Sequence, residues 1–132
     1  MTDLLTALQS AERGSRELDA KIAVYFGDRG AVSIVENDPR TSIFSHQPGW
    51  CRNDENVSIR AGDYTTSIDA ALALVERVLP GWWPSVAQVG PGKWSADIYD
   101  PSDTRSLSPT HAPIPPLALV IALVRAKEAR DA

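Results

Sequence analysis

The apolar pattern of this chain changes period at Pro80-Gly81, and that change limits the fold more than any other feature. Before it, Ile68, Leu72, Val75 and Leu79 recur at helical spacing, flanked by Ala71 and Val78. That is the stripe of an amphipathic helix. After it, "WWPSVAQV" (82–89) and "KWSADIY" (93–99) flank Gly90-Pro91-Gly92, which is the signature of a β-hairpin. In the second strand Trp94, Ala96 and Ile98 fall on one face; Ser95, Asp97 and Tyr99 fall on the other. Pro84 cannot donate to a ladder, so its end of the first strand belongs at an edge or a bulge. The helix opens at "YTTSID". Thr66 with Asp69 makes a capping box, with Ser67 as the competing cap, and either choice puts Asp69 at the positive end of the helix dipole. This opening needs no catalytic role to explain it.

The remaining segments are read in the same way. Leu4, Leu5 and Leu8 predict a first helix that Thr2 can cap. Gly14-Ser15 interrupts it. Ser15 caps a second run in which Leu18, Ile22, Tyr25 and Phe26 share a face and Gly27 ends it. The two runs fit either one bent helix or a helix pair. Residues 28–63 are the least determined part of the chain. "AVSIV" (31–35) is β-branched and alternating, and "TSIF" (41–44) and "NVSIR" (56–60) are weaker strand candidates. Asn37-Asp38-Pro39, Pro48-Gly49 and Asn53-Asp54 supply turn chemistry between them. After Asp100-Pro101, "SDTRSLSPTHAPIPP" reads as a polar, Pro-rich connection. Pro115-Pro116 fit the entry of a last helix. Leu117, Val120, Ile121 and Val124 form its main face, widened by Leu119 and Leu123.

At 132 residues, 43% hydrophobic and 23% charged, the chain suits one globular domain over residues 1–132. Its net charge of -4 opposes sequence-independent nucleic-acid binding, which relies on Lys and Arg to neutralise phosphates. "MTDLLTALQSAERGSRELDA" has no basic region before a long apolar run, so no secretory signal is expected. Leu117–Val124 is too short to span a bilayer. The expected location is the cytoplasm of a bacterial host, away from membranes.

Candidate chemistry is sparse. The single cysteine, Cys51, allows no internal disulfide and no Cys-only zinc site. With His46, Asp54 and Glu55 it suggests a metal or nucleophile cluster. The ligand spacing is wrong for zinc, however, and the neighbouring carboxylates oppose thiol activation. A free thiol in an ordinary loop accounts for Cys51. Asp97 with Asp100, or Glu36 with Asp38, are paired carboxylates that a solvated face explains equally well. His111 has no partner suggested by spacing. Gly90-Pro91-Gly92-Lys93 lacks the spacing of a phosphate loop and no helix follows it. No cofactor and no metal are expected. The tryptophans carry more information. In a regular strand Trp82 and Trp83 point to opposite faces. Helices covering both faces would bury both rings, whereas coverage of one face exposes one, as at binding hot spots. Trp50 sits in a loop.

Four stretches, "RELDAKIA" (16–23), "YTTSIDAALALV" (64–75), "LPGWWPSV" (79–86) and "PPLALVIALVRAKEA" (115–129), occur in the order seen in the phage ABA-sandwich domain family, which the chain resembles. Ile114 departs from the family pattern where Thr usually caps the last helix. Pro84 departs where a strand aromatic is common. The resemblance implies an α-β-α layered fold and a phage or prophage source, and implies no activity.

The sequence therefore predicts an α/β (α+β) domain. A small, mainly antiparallel sheet is expected to pack against about three helices, at Leu18–Phe26, Ile68–Leu79 and Leu117–Val124. Leu72, Val75, Leu79, Trp94, Ile98, Val120 and Val124 are the expected core. The expected function is non-enzymatic binding of a host or phage protein, in the specific form of inhibiting a host defence system such as CRISPR. Trp83, Asp97, Tyr99 and Trp50 are the expected contact residues. The alternatives are a small-molecule or nucleotide-processing enzyme using the loops of residues 36–63, and a virion structural or assembly component.

Overall fold

Leu4 and Leu8 are buried on α1 (Thr2–Ser10), as their spacing predicts. The computed structural model describes residues 2–35, 48–102 and 110–131, and "TSIF" lies outside them. They group into two units. One comprises residues 1–14 and 64–132; the other is Ser15–Asp63.

In the first unit, Ser67 wins the competition to start α3 (Ile68–Val78), its hydroxyl accepting from the Ala70 amide at 3.2 Å. The helix buries Ala71, Leu74 and Val75. The buried face is thus rotated from the expected stripe, and Leu72 is 38% exposed. Leu79, Ile98, Val120 and Val124 are buried as expected, and Trp94 is half-buried.

The hairpin follows as β4 (Trp83–Gly90) and β5 (Lys93–Tyr99), turning at Pro91-Gly92 with Gly92 at φ 61°. A third strand, β6 (Thr110–Ala112), pairs with β5 inside the stretch read as a connection. The antiparallel order is β4-β5-β6. Pro84 therefore does lie on an edge strand.

The last helix, α4 (Pro115–Asp131), is buried all round from Pro116 to Val124, not along one face. That is the behaviour of a helix apolar on every side. It packs on all three strands and also on α1 and α3. The Thr110 hydroxyl reaches the Ala118 carbonyl of α4 at 3.0 Å and the Ala96 carbonyl of β5 at 3.3 Å, tying helix to sheet. Where the chain leaves this unit and returns, Gly14 lies so close to Thr65 that a Cβ would strike the Thr65 carbonyl.

In the second unit, α2 (Arg16–Phe26) is capped by Ser15, whose hydroxyl accepts from the Leu18 amide, and ends at Gly27 at φ 65°. The helix-pair alternative is the one realised. A short 3-10 turn (Asp28–Gly30) leads into β1 (Ala31–Ile34). β2 (Trp50–Asn53) and β3 (Ser58–Arg60) complete a second antiparallel sheet of order β1-β2-β3, and α2 packs on β1 and β2.

The molecule is thus α/β with antiparallel sheets, as expected, but the described strands form two three-stranded sheets where the sequence suggested one. No helix among the described residues is long and apolar enough to cross a membrane.

Candidate functional site: the outer face of the β4-β5-β6 sheet

Strand alternation sorts the second sheet into two faces. Pro84, Val86, Ala96, Ile98, Thr110 and Ala112 share the face that receives α4. Trp83, Ser85 and Ala87 of β4, Lys93, Ser95, Asp97 and Tyr99 of β5, and His111 of β6 share the other. Helices stack on the first face only, so Trp83 is 59% exposed. Trp82 precedes the strand, with its amide bonded to the Leu79 carbonyl at 3.1 Å, and is half-buried. The arrangement in which both rings are core is not the one observed.

Register makes the outer face an ordered array. Trp83 stands opposite Tyr99, and Ser85 opposite Asp97. The two rings meet edge to face, with centroids 6.4 Å apart and planes at 64°. That is a favourable aromatic geometry in which neither ring covers the other. Among the described residues Asp97 makes no hydrogen bond or ion pair. It is the only carboxylate among these outward positions, and Lys93 lies at the far end of β5 from Trp83. Asp100 is not its catalytic mate, since its carboxylate closes a local turn onto the Ser102 amide at 2.9 Å and the Ser102 hydroxyl at 2.7 Å.

Three of the four expected contact residues, Trp83, Asp97 and Tyr99, therefore lie together on one face. Trp50 does not sit in a loop: it opens β2, the middle strand of the Ser15–Asp63 unit, and is half-buried. The other residues of the face, Ser85, Ala87, Lys93, Ser95 and His111, were not singled out as contacts in the sequence. The signal for His111 was the three-residue alternation Thr110-His111-Ala112, hidden between Pro109 and Pro113.

The residues considered for chemistry are dispersed. Cys51 is not in a loop but is a fully buried residue of β2, its Sγ 3.6 Å from the Ala20 carbonyl. Burial pushes its thiol pKa up, against a weaker opposing pull from Arg16. This is the reverse of an activated thiolate. Asp54 and Glu55 occupy the exposed turn after β2, organised by Asn53, whose carboxamide oxygen accepts from the Glu55 and Val57 amides. His46, Glu36 and Asp38 lie outside the described residues. Among the described residues no group of three or more His, Cys, Asp or Glu side chains is placed to hold a metal ion.

"RELDAKIA" acquires a structural meaning. The Arg16 guanidinium donates to Asp19 (2.8 Å), Asp63 (2.7 Å) and the carbonyls of Ala61 (2.7 Å), Gly62 (3.2 Å) and Gly49 (3.2 Å). It joins the start of α2 to the chain flanking β2 and β3. A Cβ on Gly49, which sits at φ 98°, would collide with that guanidinium.

No protein-family model matches the chain, and no curated protein or solved structure matches it significantly.

Proposed function

We propose that the chain is a protein-binding module of phage or prophage origin that docks a basic partner on the outer face of β4-β5-β6 and catalyses no reaction. The observation that carries this reading is Trp83. A tryptophan 59% exposed on a sheet face, edge to face with Tyr99 and next to Asp97, which has no ion-pair partner among the described residues, has the composition of a binding hot spot. The rings supply area to desolvate, and the carboxylate supplies steering toward positive charge. The burial of Cys51 supports a structural part for its thiol.

The phage setting comes from the resemblance of "RELDAKIA" and "YTTSIDAALALV" to the phage ABA-sandwich family. In that setting, a module that docks on basic surfaces suits inhibition of host defence machinery such as CRISPR, whose nucleic-acid grooves are basic. The experiment is capture of partners from infected bacterial cells, followed by affinity measurement with the purified partner. Trp83→Ala and Asp97→Asn are expected to weaken binding at least about tenfold, a loss of about 1.4 kcal/mol, without lowering the melting temperature. Partner affinities unchanged in both variants would remove the outer face from the docking surface.

A further inference from the structure

We infer that the outer face recognises an arginine side chain of its partner, held between the Trp83 ring and the Asp97 carboxylate. This rests on the docking reading above and specifies its chemistry. The array sets the geometry. Asp97 stands opposite Ser85, which is two residues along β4 from Trp83, so carboxylate and indole are diagonal neighbours on one face. Diagonal neighbours in an antiparallel pair are about 7–8 Å apart at their backbones, within reach of long side chains.

A guanidinium has the dimensions to serve both groups at once. It stacks within about 6 Å of a ring centroid, with tryptophan the best platform, and it pairs with a carboxylate through two parallel N–H···O bonds of about 2.7–2.9 Å. The 64° inclination of the Trp83 and Tyr99 rings leaves their faces uncovered by one another. The charge balance selects the same ligand. Among the described outward residues the one carboxylate, Asp97, stands beside Trp83, while the one lysine, Lys93, lies at the opposite end of β5, so a cation gains at the Trp83 end. Lysine satisfies the charge but neither stacks as a plane nor binds in a fork, so arginine is preferred. The Ser85 and Ser95 hydroxyls border the carboxylate and can accept the guanidinium protons it leaves over.

The test uses the full-length protein, labelled with nitrogen-15, and three capped tripeptides, acetyl-Ser-X-Ser-amide, with X arginine, lysine or citrulline. The arginine peptide should move the Trp83 indole and Asp97 amide resonances saturably. The lysine and citrulline peptides should bind at least about tenfold more weakly. Trp83→Leu and Asp97→Asn should each abolish the shift while keeping a dispersed, folded spectrum, and Glu76→Ala, at an exposed position of α3, should leave it unchanged. Equal binding of the citrulline peptide, shifts with a single-stranded oligonucleotide instead, or shifts produced by raising protein concentration alone would overturn the arginine assignment. So would the absence of any shift. In that last case, loss of the captured partner in Trp83→Ala and Asp97→Asn would preserve the docking surface and reject only its arginine specificity. Arginine binding with partner capture unaffected by both variants would do the opposite.

Discussion

Arg16 shows how much structure one side chain can organise. Its guanidinium serves five acceptors, among them the buried Asp19. Replacing it with an uncharged residue leaves that carboxylate buried without its cation, which is costly. Arg16→Met should destabilise the protein by about 3 kcal/mol in urea unfolding. Arg16→Lys keeps the charge but cannot span the fork, so it should recover only part of that loss; full recovery would mean that the carbonyl contacts contribute nothing. Arg16 and Asp19 stand at an i, i+3 spacing but were not singled out as a pair in the sequence. The Gly49, Ala61 and Gly62 carbonyls were not legible there, because backbone acceptors 33 to 46 residues away leave no trace in composition. Cys51 gives a second residue-level prediction. Its folded thiol pKa is raised by burial, so as pH passes the ordinary thiol value of about 8.5 the unfolded chain ionises first and the folded chain keeps its proton. The Cys51 contribution to stability is complete below that value and is lost as pH climbs toward the folded pKa. The stability difference between wild type and Cys51→Ala should therefore shrink above about pH 8.5. A difference that is flat from pH 7 to 10 would contradict the burial assignment.

Among the elements, those with long periodic patterns were legible; of the four strands shorter than five residues, β1 and β3 were anticipated by "AVSIV" and "NVSIR" and β2 and β6 were not. α2, the β4-β5 hairpin and α4 follow from their caps, turns and periods. β2 and β6 escaped because Trp50–Asn53 and Thr110–Ala112 are four and three residues long between turn residues and prolines. So short an alternation does not distinguish strand from loop. The α3 stripe was read one position away from its true face for a different reason. Leu72 and Leu74 both fit a helical period, and only the partner helix decides between them. α3 packs on α4 and buries Ala71, Leu74 and Val75. Leu74→Ala should cost about 2–5 kcal/mol, and Leu72→Ala, on a residue 38% exposed, less than about 1 kcal/mol. Equal costs in denaturant titrations would return the buried face to the sequence-derived stripe.

For the whole molecule, the Ser15–Asp63 unit interrupts a first unit whose chain ends, Gly14 and Thr65, lie against each other. Insertions are tolerated where the exit and return points are close. Joining Met1–Gly14 to Tyr64–Ala132 through a short Gly-Ser linker should therefore give a cooperatively unfolding protein that retains the β4-β5-β6 sheet. A product without a thermal transition would show that the first unit needs the second to fold. The proposed docking face belongs wholly to the first unit, and the Trp83 ring is 59% exposed. The most direct measurement is a paired one: melting temperature and affinity for the captured partner on Trp83→Ala, Tyr99→Ala and Asp97→Asn. The predicted result is a melting temperature within about 2 °C of wild type together with affinity lowered at least about tenfold in each variant. Unfolding of Trp83→Ala, with normal partner affinity in Tyr99→Ala and Asp97→Asn, would contradict the proposal and leave the outer face as structure alone.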